Sequence, residues 1–157
     1  MKICLLVIGK TDEEYLRNGL EIFTRRIPHY ILFEMKIIPD IRNSKNLSEE
    51  QQKDKEGELI LQQVLPSDEV FLLDEKGMEV SSVEFARFLE KKMLSGLRRM
   101  VFVIGGPYGF SSTVYSRANG KVSLSKMTFS HQMVRLIFTE QLYRALTILK
   151  GEPYHHQ

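Results

Sequence analysis

The amino-terminal stretch from Ile3 to Ile8 is apolar at every position, with Cys4 among the aliphatics. A run without polar alternation predicts a strand covered on both faces, as in a parallel sheet. Gly9 stops it. Thr11 stands three residues before Glu14, a capping-box spacing. Tyr15, Leu16, Leu20, Ile22 and Phe23 then recur at helical intervals until Pro28. Ile31 to Ile38 predicts a second strand, closed by Pro39-Asp40. Residues 40–57 are polar. Within them Ser48 and Gln51 form another capping box, so a helix should run to Val64, its polar front half loosely packed behind a mobile loop. Val70 to Leu73 predicts a third strand and Asp74 to Gly77 a turn. Ser81 with Glu84 predicts a helix carrying Phe85, Phe88, Leu89 and Met93 and ending at Gly96. Met100 to Ile104 predicts a fourth strand, and Val122 to Leu124 a short fifth. A long helix is expected from about Ser130 to Lys150, with Gly151 at its end.

Strands that alternate with helices imply an α/β fold with a mostly parallel sheet flanked by helices. In such sheets ligands sit beyond the carboxyl ends of the strands. Three segments leave strand ends: Leu73-Asp74-Glu75, Gly105 to Gly109, and Ser125 to Thr128. A site is sought where they meet. The long helix is apolar nearly all round. Val134, Phe138, Leu142, Ala145 and Leu149 form one stripe, and Met133, Leu136, Ile137 and Ile148 much of the other side. Such a helix needs cover on more than one side, and a second subunit is the expected cover.

The 157 residues fit a single domain, 1–157, able to bury a real core. No stretch reaches the length of apolar residues that a membrane span requires, and the chain's start reads as strand rather than signal peptide. Cys4 is the one cysteine. It excludes an internal disulfide, fits a reducing cytoplasm, and is expected to pack in the core rather than act as a nucleophile. A net charge of +2 permits contact with nucleic acid without arguing for it. The pairs Arg25-Arg26, Lys91-Lys92 and Arg98-Arg99 read as solvated surface.

Four segments can carry chemistry. Gly105-Gly106-Pro107-Tyr108-Gly109 lets backbone approach a ligand closely, yet it fits neither the dinucleotide fingerprint nor the phosphate loop. It is either a tight turn or a cofactor loop. Leu124, Ser125, Lys126, Met127, Thr128 and Phe129 would face the same cleft edge, or merely begin a helix capped by Ser130. Glu140 and Arg144 lie four apart and can pair, as an interface ion pair or as a cleft-facing pair that holds an anionic substrate. In the tail, Tyr154 and His155 offer an aromatic ring and an imidazole suited to a nucleobase, although a disordered end is the default for such a segment. Metal-ligand spacing is absent, so no metal site is expected.

The segments LLDEKG, FVIGGPYG and LSKMTFSHQMVRLIFTEQLYRALTI and the ending PYH, in that order, resemble the bacterial family that methylates a pseudouridine of large-subunit ribosomal RNA, within the SPOUT superfamily. The resemblance spans the whole chain. It implies S-adenosylmethionine as cofactor, methyl transfer to the pseudouridine N3, a carboxyl-terminal trefoil knot and an obligate homodimer acting in the cytoplasm on the ribosome. By position, Leu73, Gly105 and Leu124 to Phe129 would line the cofactor pocket. Glu140, Arg144, Tyr154 and His155 match positions associated with substrate and catalysis, with His155 as candidate base. One departure stands out: His156 occupies a place where the family commonly has arginine. The alternative is a non-catalytic ribosome-binding or assembly protein of the same fold.

Overall fold

The computed structural model describes residues 1–156. Five parallel strands form one sheet, in the order β2-β1-β4-β3-β5. These are β1 (Lys2–Ile8), β2 (Leu32–Ile38), β3 (Glu69–Glu79), β4 (Arg99–Ile104) and β5 (Gly120–Ser123). The helices between them are α1 (Glu14–Arg26), α2 (Glu49–Gln62), α3 (Ser82–Leu94), α4 (Ser112–Arg117) and α5 (Met133–Leu149).

The two-residue period of a strand sorts the core into two halves. Ile3, Leu5 and Val7 of β1, with Met100, Phe102 and Ile104 of β4, face one way. They pack against Phe85, Ala86 and Leu89 of α3 and against Phe138, Leu142 and Ala145 of α5. Cys4, Leu6 and Ile8, with Val101 and Val103, face the other way, toward Ile60 of α2 and Val114 of α4. Both faces are therefore covered, which is why β1 and β4 carry no polar alternation. Cys4 is fully buried, and burial pushes its thiol up to about 11, so it remains a protonated packing group.

Several sequence expectations change. The capping boxes at Ser48–Gln51 and Ser81–Glu84 form as read. The one at Thr11 does not: α1 begins after Glu13 with no side-chain cap. Thr11 is engaged elsewhere, because its Oγ1 accepts from Arg135 at 3.1 Å. The front half of α2 is as loosely packed as its polarity suggested, with no buried residue from Glu49 to Lys55, but Glu56 and Gly57 just behind it are both buried. Asp74 to Gly77 is not a turn between elements but an outpocketing of β3. Leu73 and Met78 both register against Val122 of β5, so the residues between them bulge. The short helix α4 was not foreseen, and Leu124 lies just past β5. Lys92 and Arg99 are not simply solvated: they pair with Glu69 and Asp68.

Arg135 of α5 is the largest fully buried side chain. Its guanidinium donates to the carbonyls of Ile8 (2.6 Å) and Gly9 (2.8 Å), to Thr11 Oγ1, and through Nε to the His131 carbonyl at 3.2 Å. These bonds satisfy carbonyls at the end of β1 and tie that end to the start of α5. Arg135→Ala leaves those acceptors buried without donors and opens a cavity. A loss of about 3 kcal/mol or more is expected in urea unfolding. An unchanged midpoint with an unchanged slope would contradict the clamp.

Candidate active site

β3 and β4 run level, with Leu72 paired to Val103, so Leu73 and Ile104, the residue before Gly105, come next along the two strands. The outpocketing of β3, the glycine loop after β4 and the segment after β5 enclose a cleft of about 510 Å³ there. That volume is in the range of small-molecule sites, roughly 300–1,000 Å³.

Each wall has a local cause. Gly106-Pro107-Tyr108-Gly109 is a turn closed by the Gly109 amide donating to the Gly106 carbonyl at 3.2 Å. Pro107 supplies the fixed φ at its second position, and Gly109 takes the left-handed conformation with φ +84°. At Gly105 a Cβ would stand 3.1 Å from the Phe110 ring and 3.3 Å from the Gly109 carbonyl oxygen. The segment after β5 is shaped by its serines. Ser123 Oγ donates to the Ser125 carbonyl, and Ser125 Oγ accepts from the Met127 amide at 3.0 Å. Thr128 donates to Glu75, joining this segment to the β3 outpocketing. Ser130 Oγ, two residues before the cap position Gln132, accepts from the amide of Met133, the first residue of α5, at 3.0 Å.

Leu73, Gly105, Leu124, Ser125, Met127, Thr128 and Phe129 all line this cleft. Lys126 does not: its side chain is 83% exposed and reaches Glu79 on the outside. Asp74, in one of the expected strand-end segments, also lines the cleft, as do Tyr115 and His131, which the sequence did not single out. His131 directly follows the segment that was singled out. Burial and the nearby Arg135 hold the His131 imidazole below its ordinary value, so it is neutral near pH 7. Tyr115 donates to Asp74, and burial with that bond pushes its phenol up to about 12.

The other four expected residues form a second cluster. Glu140 Oε1 accepts from Arg144 Nη2 at 2.7 Å and Nε at 3.1 Å, and from the Tyr154 hydroxyl at 3.0 Å. The Arg144 guanidinium lies 4.8 Å over the Tyr154 ring, and its Nη1 is 3.2 Å from His155 Nδ1. Tyr154 also packs edge-on against Tyr143, at 4.8 Å between centroids. The tail is thus folded back onto α5. Arginine has only donors, so His155 Nδ1 accepts and the neutral ring carries its proton on Nε2. This cluster is not in the cleft of its own chain. The α5 residue on the cleft is Val134, and Glu140 and Arg144 lie six and ten residues on, about 9 and 15 Å along the helix.

Among the described residues no three His, Cys, Asp or Glu side chains group to hold a metal ion, and no helix is long and apolar enough to cross a membrane. A parallel α/β sheet with a backbone-rich cleft at its carboxyl edge defines the class as a small-ligand-binding α/β protein. Known proteins narrow the class. A family model described as "Predicted SPOUT methyltransferase" matches residues 1–155. The chain is 62% identical, over the full length of both chains, to proteins named Ribosomal RNA large subunit methyltransferase H from Parabacteroides distasonis and Christiangramia forsetii. The protein of that name from Flavobacterium johnsoniae is 61% identical over the same span. A probable methyltransferase from Bordetella pertussis shares the fold at 10% identity, with a TM-score of 0.57 over 92% of this chain and 94% of its own. A probable methylase family protein from Haemophilus influenzae does so at 12% identity and a TM-score of 0.51, over 95% of this chain and 66% of its own. The chain belongs to the SPOUT methyltransferase family.

Proposed function

We propose that this protein transfers a methyl group from S-adenosylmethionine to N3 of a pseudouridine in large-subunit ribosomal RNA, as a cytoplasmic homodimer acting on the assembled ribosome. The observation that carries the reading is the convergence of three strand-end segments on one cleft with glycine backbone in its wall. A Cβ at Gly105 would press on Phe110 and the Gly109 carbonyl, which both line the cleft, so the residues present fit a cofactor held against bare backbone. Leu73, Gly105, Leu124, Ser125, Met127, Thr128 and Phe129 would hold it. Lys126, turned outward, is left for substrate or solvent. When bound, the cofactor supplies an electrophilic methyl group on a cationic sulfur. A neutral His131 suits that cation better than a charged one.

The chain's own work is on the base. N3 of pseudouridine is a poor nucleophile until its proton leaves, and negative charge then spreads over the flanking carbonyls. Arg144 and the Nε2–H of His155 are donors suited to that charge. With Nδ1 occupied by Arg144, His155 serves this reading better as a donor than as the base suggested by the sequence, and solvent takes the proton. Glu140 holds Arg144 and Tyr154 in place.

The separation of the tail cluster from the cleft in one chain supports the homodimer, in which one copy's tail is available to the other's cleft. The expected second cover of α5 is partly internal. Leu136 packs on α1 at Gly19, and α3 contributes Phe85 and Leu89. Met133 and Ile137 remain half-buried, and on α1 the exposed Tyr15 (60%) and Ile22 (48%) lie seven residues apart on one face. That face suits an interface of about 800 Å² or more per partner. The proposal extends to the trefoil knot: the chain leaving β4 crosses β3 to form β5 before α5 returns over Phe102. Light scattering is expected to give twice 18.3 kDa at micromolar protein. A well-folded monomer would count against the dimer. The test of the activity is methyl transfer from labelled cofactor to ribosomes lacking the modification. Binding of cofactor without transfer would favour a non-catalytic assembly protein.

A further inference from the structure

Glu56 sits on α2 behind the glycine loop and lines no part of the cleft. It is 3% exposed. Its Oε1 accepts one hydrogen bond, from Gln52 Nε2 at 3.1 Å, while Oε2 is buried with no partner. The carboxyl group is pressed against Gly106: its oxygens stand 2.5 and 2.6 Å from where a Cβ on Gly106 would be. The neighbouring Gly57 fixes this register. A Cβ there would be 2.4 Å from Ser111 Oγ, the hydroxyl that caps α4. The dipeptide Glu56-Gly57 therefore supports both ends of the loop, Gly106 at one and Ser111 at the other.

We propose that Glu56 is the positioning residue of the glycine loop, and that it holds the loop in shape for the cofactor only while its carboxyl carries a proton. An ionised carboxylate with one orphan oxygen in this interior must draw in water or move, and the backbone it would move is Gly106. Burial, with the field of Asp40 from the loop after β2, raises Glu56 above the ordinary carboxylate range. The Gln52 hydrogen bond offsets this only in part, and among the described residues no positive side chain does. Tyr108, the ionisable side chain of the glycine loop, is exposed; Tyr115 and Arg117 of α4 are engaged with Asp74 and with the Leu65 and Asp68 carbonyls. Asp40 also acts on His131, just before α5, and on Arg135 of α5. The sign follows. A raised carboxyl stabilises the fold below its unfolded value, and that contribution is lost as pH rises through the folded value. Cofactor binding, which needs the loop in place, weakens over the same rise and takes up a proton by linkage.

The inference rests on the cleft being the cofactor site, and the experiment separates the two. Calorimetric affinity for S-adenosylhomocysteine is measured from pH 5 to pH 8 for the wild type and Glu56→Gln, which is neutral throughout. Wild-type affinity is expected to fall with pH, about tenfold for each unit by which binding raises the Glu56 value. The variant is expected to lack that fall and to bind more tightly than the wild type at pH 8. His131 contributes equally to both curves. Parallel curves, or a variant weaker at every pH, overturn the positioning role and leave the cleft reading standing. A wild type that binds at no pH overturns both. Were Glu56→Gln not to fold, the wild type alone decides: titrations in two buffers of different ionisation enthalpy must show net proton uptake, and none would overturn the inference.

Discussion

Deletion of Tyr154 to Gln157 is expected to abolish methyl transfer to ribosomes while the fold and the binding of S-adenosylhomocysteine persist. The tail follows the left-handed Gly151, whose φ of +67° ends α5, and adds little to the core. Its loss forfeits the Tyr154–Tyr143 contact, worth about 0.5–1.5 kcal/mol. The Glu140–Arg144 pair lies within α5 and survives. In the proposed function the tail's groups act on the base, so the loss is expected to fall on turnover, by about 10²-fold or more. Two substitutions then separate the roles of His155. His155→Ala removes the Nε2–H donor and should approach the deletion. His155→Gln keeps an N–H donor and should retain activity within about tenfold if the ring donates, but lose as much as alanine if it is a base. Normal methylation by the deleted protein would remove Tyr154 and His155 from the active site.

Gly105→Val is the second large effect, and it falls on cofactor binding. A Cβ at this position already meets Phe110 Cε1 at 3.1 Å and Cζ at 3.2 Å, and the Gly109 carbonyl oxygen at 3.3 Å. The two further methyls of valine must enter the cleft or displace the phenylalanine, which is 7% exposed in the core beside α4. Overpacking of this kind costs about 1–3 kcal/mol, and any methyl in the cleft adds a direct clash with ligand. Calorimetry should show affinity for S-adenosylhomocysteine down by about a hundredfold or more, while the circular dichroism spectrum stays that of the native fold. Gly105→Ala should fall between the two proteins. Unchanged affinity in a folded Gly105→Val protein would move the cofactor elsewhere.

The fold was legible where burial is two-sided. β1 and β4 lie inside the sheet with helices on both faces, so their sequences are continuous apolar runs, and no tertiary knowledge is needed to read them. The serine caps of α2 and α3 were legible for a different reason: a capping box is a contact between residues three apart, complete within the local sequence. Thr11 offered the same spacing and failed, because Arg135, more than a hundred residues on, takes its hydroxyl. The cleft walls were legible too, since each is a short segment that leaves a strand end.

What the chain did not show locally is what meets what. Nothing in Asp74 to Gly77 reveals that both flanks register on Val122; that depends on β5 pairing beside β3. The polar front of α2 is the loose surface its sequence suggests, yet Glu56, a carboxylate that follows it, is buried where Gly57 brings α2 against Ser111. His155 offered an imidazole, and only the fold shows that its Nδ1 faces Arg144. Sequence determines propensities, caps and the two periodicities, because these are interactions over a few residues. Which charges are buried, which lone pairs are already taken and which backbone must leave room are settled by contacts between distant segments, and only the tertiary structure decides them.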